Sequence, residues 1–111
     1  MLLMKPQAEF LLDVCKLITY ATSAGLVITG GELYRTADQQ AIYVRDKKAK
    51  TSKSQHLLRL AIDLNFFDDD GLTYDIKKLS PIGMYWQSLH PKNEWGGFWK
   101  FVDMPHFERR L

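Results

Sequence analysis

Apolar residues recur at helical spacing through Ala8, Leu11, Leu12, Cys15 and Ile18, which predicts an amphipathic helix from about Pro6 to Ser23, ending near Gly25. On that stripe Cys15 is expected as a small buried residue, and as the single cysteine it forms no internal disulfide. Leu26-Val27-Ile28-Thr29 reads as a short β-branched strand, and Gly30-Gly31 bends or bulges the chain before Glu32-Leu33-Tyr34-Arg35. Thr36 with Gln39 three residues on makes a capping box, so a second helix starts there and runs to about Arg45. From there to Ser54 apolar periodicity stops, and a surface loop is expected.

The period changes to two after Leu60. Leu60, Ile62 and Leu64 share one face of a strand while Ala61, Asp63 and Asn65 share the other, so Asp63 points away from the core. Asp68-Asp69-Asp70-Gly71 marks a turn from which Leu72-Thr73-Tyr74 returns as a strand. Pro81 to Leu89 reads as a third helix, with Ser80 as N-cap and Met84, Tyr85 and Leu89 as core contacts. Gly96-Gly97 interrupts the aromatic run of Trp95, Phe98, Trp99 and Phe101, whose large rings are expected mainly in the core. Near the end Pro105 and Phe107 alternate with His106 and Glu108, so His106 faces a cleft and Phe107 the interior.

A chain of 111 residues has room for one domain with one modest core. Lys5, Glu9 and Asp13 break what would have to be the apolar centre of a signal peptide, so no secretion signal is read. The longest uncharged stretch, Leu17 to Gly31, is too short and too polar for a bilayer, which predicts a soluble protein without a membrane anchor. A net charge of +2 is too small to argue for nucleic acid. Arg45, Lys47, Lys48, Lys50 and Lys53 still concentrate positive charge in one segment, either a solvated loop or a patch for an anionic polymer.

His56, Asp63 and His106 are the candidates for chemistry. Two imidazoles and one carboxylate suit zinc and leave its fourth position to water, whereas structural zinc is usually closed by four protein ligands. Asp103, three residues before His106 and held by Pro105, is the candidate general base, with a turn cap or a hydrogen bond to a ligand as its plainer roles. Glu94 is the rival acid, and His90 matches no ligand position. The three aspartates of the turn do not make a calcium loop, since the alternating ligands and the closing glutamate are missing.

Ser54-x-His56 followed by Ala61-x-Asp63, then Trp95-Gly96-Gly97 and Asp103-x-Pro105-His106-Phe107, resembles the zinc peptidases that include D-alanyl-D-alanine carboxypeptidases, dipeptidases of the vancomycin-resistance type and phage L-alanyl-D-glutamate endolysins. Tyr34-Arg35-Thr36 and Gln39 resemble that family's segment opening a helix. The resemblance implies an α+β fold of the hedgehog and DD-peptidase kind, a small antiparallel sheet carrying the metal and packed by about three helices. It implies Zn2+ on His56, Asp63 and His106, Asp103 as base, and Arg35 and Ser54 as substrate-binding groups. Arg59 departs from the pattern, standing where many members have glycine; its side chain is expected to reach for solvent.

The expected activity is hydrolysis of an amide bond in the peptidoglycan stem peptide, of the L-alanyl-D-glutamate type, by a phage or prophage lysis enzyme. The nearest alternatives are a D-Ala-D-Ala carboxypeptidase and a non-catalytic, zinc-stabilised wall-binding module. Such an enzyme is expected to be a monomer, made in the cytoplasm without a signal peptide and acting on the cell wall in the periplasm or outside.

Overall fold

The computed structural model describes residues 3–49 and 53–111; Lys50 of the basic segment lies outside them. Helix α1 (Met4–Ser23) leads into β1 (Val27–Gly30), α2 (Ala37–Arg45), β2 (Ala61–Asp68), β3 (Gly71–Leu72), α3 (Ile76–Leu89), β4 (Asn93–Trp95) and β5 (His106–Arg109), with 3-10 turns at Gln55–Leu58 and Gly96–Phe98. The strands form an antiparallel sheet in the order β1-β2-β5-β4, and β3 folds back on the end of β2. This is the expected α+β arrangement of three helices and a small antiparallel sheet.

Local chemistry explains several boundaries. The Thr36 hydroxyl accepts from the Gln39 backbone N–H at 3.1 Å and opens α2 as the capping box requires. Asp68 Oδ1 accepts from the Asp70 N–H at 2.8 Å, and Gly71 at φ 109° closes the turn into β3. Alternation along β2 sends Leu64 and Phe66 into the core and leaves Asp63 on the opposite face.

Helix α1 buries the face opposite to the one the apolar spacing predicts. Phe10, Asp13, Val14, Leu17 and Ala21 are inside, whereas Leu11 and Leu12 are more than half exposed and Cys15 is exposed. Two apolar stripes run along this helix, and partners chose between them. Arg109 of β5, only 3% exposed, donates to Asp13 Oδ2 at 2.6 Å and to Asn93 Oδ1 at 2.6 Å, while Asn93 donates to Asp13 at 3.1 Å. A buried guanidinium needs its carboxylate, and Asp13 meets that need from the same face of α1 that buries Phe10, Val14, Leu17 and Ala21.

Helix α3 begins five residues before Pro81, with Asp75 rather than Ser80 as its cap; Asp75 Oδ1 accepts from the Lys77 N–H at 2.9 Å. Pro81, the sixth residue of the helix, gives up one intrahelical hydrogen bond, and the Asp75 cap offsets part of that cost while burial of the helix face supplies the rest. The longer helix buries Leu79, Ile82 and Trp86 and leaves Met84, expected inside, 62% exposed. Trp86 stands edge-on to Phe10 of α1 and Phe107 of β5, at centroid distances of 5.6 and 5.9 Å. Of the aromatic run only Trp95 is fully buried; Phe98 and Phe101 are exposed.

Trp95 lies between two glycines. A Cβ on Gly83 of α3 or on Gly97 would overlap its indole ring, so only glycine lets the ring enter. Its Nε1–H then donates to the Met104 carbonyl at 2.8 Å, which fixes the approach to β5. Among the described residues no helix is long and apolar enough to cross a membrane.

Asp13→Ala takes from the buried Arg109 guanidinium its carboxylate partner at 2.6 Å and leaves it the half-exposed Glu9 at 3.4 Å, so it should destabilise the chain by about 3 kcal/mol. Urea unfolding measures this, and Asp13→Leu combined with Arg109→Met should recover most of the loss.

Candidate metal centre

Three segments converge on one point. The 3-10 turn at Gln55–Leu58, capped by Ser54 Oγ accepting from the His56 N–H at 3.2 Å, presents His56. Antiparallel register places Asp63 of β2 directly opposite His106 of β5. Asp63 Oδ1 lies 3.4 Å from His56 Nε2 and 3.5 Å from His106 Nδ1. One ligand atom from each of the three residues falls within 4.8 Å of the others.

The protonation pattern fits a cation. His56 Nδ1 is 2.8 Å from the Leu33 carbonyl, which only accepts, so Nδ1 carries hydrogen and Nε2 keeps its lone pair for the cluster. His106 Nε2 donates to Glu108 Oε1 at 2.8 Å, which frees Nδ1 in the same sense. His56 Nε2 and Asp63 Oδ1 are buried without a hydrogen-bond partner. Buried polar atoms are rarely left so, and atoms about 2.0–2.2 Å from a tetrahedral metal stand about 3.3–3.6 Å apart, close to the spacings here. His56, Asp63 and His106 can hold a metal ion.

In the metal-free cluster, burial works to raise the Asp63 carboxyl, but the imidazoles of His106 and His56 outweigh it and hold it well below the usual carboxylate range. Burial works to lower His106, yet the carboxylates of Asp63 and Glu108 beside it push it up to about 9. Burial likewise works upward on Glu108, and the bonds from His106 and Arg110 leave it below its ordinary value.

Asp103 reaches the same point from the loop before β5. Its Oδ2 is 3.9 Å from His106 Nδ1, its side chain is 45% exposed, and burial pushes its carboxyl up, partly offset by His106. Two backbone contacts fix it: its N–H donates to the Gly96 carbonyl at 2.9 Å and its carbonyl accepts from the His106 N–H at 3.2 Å. A Cβ on Gly96 would overlap the Asp103 carbonyl, which accounts for the glycine after Trp95. Glu94 instead accepts from Trp99 Nε1 and pairs with Arg110, away from the three ligand atoms.

A cleft of about 940 Å³ opens over the cluster, lined among others by Arg35, Ser54, Asp103, Glu108 and Arg110. Arg35 is held tightly: it pairs with Glu32, donates to Gln40 Oε1 at 2.6 Å and Ser54 Oγ at 3.4 Å, and lies over the Tyr43 ring. Its backbone N–H donates to the His56 carbonyl at 3.2 Å, so the same segment braces the first ligand. Trp99 packs its ring against His106 at 5.0 Å.

Sequence reasoning passed over Glu108, which was legible from the strand period because it shares a face with His106. It also passed over Glu32, Arg110 and the Leu33 carbonyl, for which the sequence carries no signal. Arg59 occupies the left-handed region at φ 56°, which explains why glycine suits this position. Its guanidinium lies 4.2 Å from the centroid of the Tyr34 ring, at the surface as expected.

A His-Asp-His cluster, with Asp63 and His106 on adjacent antiparallel strands and His56 on a 3-10 turn, under a cleft with a nearby carboxylate, defines a metallopeptidase-like centre. Residues 47–109 match the family model described as D-alanyl-D-alanine carboxypeptidase, and the chain belongs to that peptidase family. It is 31% identical over 106 residues to the L-alanyl-D-glutamate peptidase of Listeria phage A118, an alignment covering 84% of this chain and 34% of the phage protein. The chain thus spans about a third of the length of that curated relative. The Serratia marcescens L-Ala D-Glu endopeptidase ChiX shares the fold, with a TM-score of 0.69 and 24% identity, covering 88% of this chain and 78% of that one.

Two outcomes follow. His106 is raised above its ordinary 6.5, so its ion pairs stabilise the metal-free chain fully below about pH 6.5 and are lost as pH rises through about 9. Urea unfolding in chelator should show that decline, His106→Gln should flatten it, and divalent metal should bind more tightly toward high pH. Arg59→Ala should cost about 0.5–1 kcal/mol through the lost ring contact, and Arg59→Gly should be the more stable of the two because no Cβ opposes the positive φ.

Proposed function

We propose that this chain is a zinc-dependent peptidase that cleaves an amide bond in the stem peptide of bacterial peptidoglycan, of the L-alanyl-D-glutamate type, as a phage or prophage lysis enzyme. The observation that carries the reading is the pair of orphaned buried atoms, His56 Nε2 and Asp63 Oδ1, facing His106 Nδ1 beneath the cleft beside Asp103. The family and the names of both relatives support the substrate class.

His56, Asp63 and His106 would hold the zinc, which supplies a Lewis acid that acidifies water and polarises a carbonyl. Asp103 takes the proton of the attacking water and passes it to the leaving amine, and its upward-shifted carboxyl suits both directions of transfer. Arg35, held by Glu32, Gln40 and Ser54 in the cleft wall, offers substrate the guanidinium N–H groups those partners leave over. Ser54 holds the His56 turn with one lone pair while lining the cleft. Glu108 keeps His106 in one tautomer and orientation.

The family's description makes D-Ala-D-Ala carboxypeptidase the second reading, and the mass of the fragment released from peptidoglycan separates the two. Asp103→Ala should lower kcat by roughly 10²–10⁴-fold while leaving zinc content and unfolding midpoint near wild type. Wild-type protein that carries zinc and binds the wall yet frees no new amino termini would establish the non-catalytic module instead.

A further inference from the structure

We infer that Lys48 is a specificity-determining residue that binds the free carboxylate beside the scissile bond of the stem peptide. The inference rests on the peptidase reading above. Of the two carboxyl groups of a glutamate acylated on nitrogen by alanine, only one continues the chain. The other remains an anion one residue from the bond to be cut. The cleft must accept that anion beside the Asp103 carboxylate, and like charges meeting there oppose binding unless a cation of the wall receives it.

The other cations of the wall are committed. Arg35 pairs with Glu32, Arg110 pairs with both Glu94 and Glu108, and Lys53 is not free. Lys48 lines the cleft, is exposed, and among the described residues makes no ion pair.

Its backbone is fixed. Lys47, at φ 60°, turns the chain out of α2, and the N–H groups of Lys48 and Ala49 both donate to the Tyr43 carbonyl, at 2.8 and 3.1 Å. Tyr43 in turn supports Arg35 with its ring and donates its hydroxyl to Glu32 at 3.4 Å. The ammonium therefore projects from a turn anchored to the same residue that holds the Arg35 wall, and a change of side chain leaves that anchor intact.

The test compares two synthetic L-alanyl-D-glutamyl peptides on the zinc-loaded protein, one with the off-chain carboxyl free and one with it as a primary amide. Wild type should favour the acid. Lys48→Gln should shrink the acid-to-amide ratio of kcat/KM by roughly three- to tenfold, through KM, as expected for a partly exposed charge pair. Lys48→Arg should keep most of the preference, and Lys47→Gln, outside the cleft wall, should keep all of it. An unchanged ratio in Lys48→Gln, or an equal fall in Lys47→Gln, overturns the assignment. Cleavage of neither peptide by wild type overturns the L-alanyl-D-glutamate reading on which the assignment rests.

Discussion

The antiparallel register of β2 against β5 is the constraint on which the centre depends. Because Asp63 stands opposite His106, their side chains emerge on the same face at the separation a shared ion requires. A slip of one residue would send one of them to the other face and put Phe107 or Ile62 into the cleft. The register is held from the opposite side, where Leu64, Phe66 and Phe107 enter the core and Phe66 meets Phe107 edge-on at 5.8 Å. Core packing and metal geometry are thus two faces of one strand pairing.

The third ligand is tied to that pair through backbone rather than side-chain packing. The segment between β1 and α2 offers the Leu33 carbonyl to His56 Nδ1 and the Arg35 N–H to the His56 carbonyl, so the imidazole is fixed at its ring and at its backbone. Gly31 brings this segment against Asp63: its N–H donates to the Asp63 carbonyl at 2.8 Å, where a Cβ would crowd the strand. On the far side, Trp95 and its glycines support Asp103 and the Met104 carbonyl. Small residues at these contacts let backbone reach backbone, and so position groups that no side chain could hold as rigidly.

Charge in the cleft is arranged in the same way. Glu32 and Glu108 each sit next to a ligand segment and each is matched by an arginine, Arg35 and Arg110, so most of the wall is locally neutral. Among the described residues, Lys48 is a cation of the wall that makes no ion pair. Paired charges orient the imidazoles, and the unpaired ones are left to meet a ligand.

Some of this was fixed locally and could be read from residues a few positions apart. Thr36 caps α2 because the bond it makes spans three residues, the Asp68–Gly71 turn follows from its own side chain and φ, and the alternation from Leu60 to Leu64 follows from strand geometry. The motif around His56, Asp63, Asp103 and His106 likewise pointed to the residues that the fold gathers. Tertiary structure alone decided which of two apolar stripes of α1 turned inward, because that depended on what distant segments offered each stripe, Trp86 for Phe10 and Arg109 for Asp13. Distant partners also buried Trp95, left Cys15, Phe98 and Phe101 outside, and brought Glu32, Arg110 and a backbone carbonyl to the site. Short-range hydrogen bonds and periodicity are written in neighbouring residues, whereas burial and charge pairing are settled only once distant segments meet.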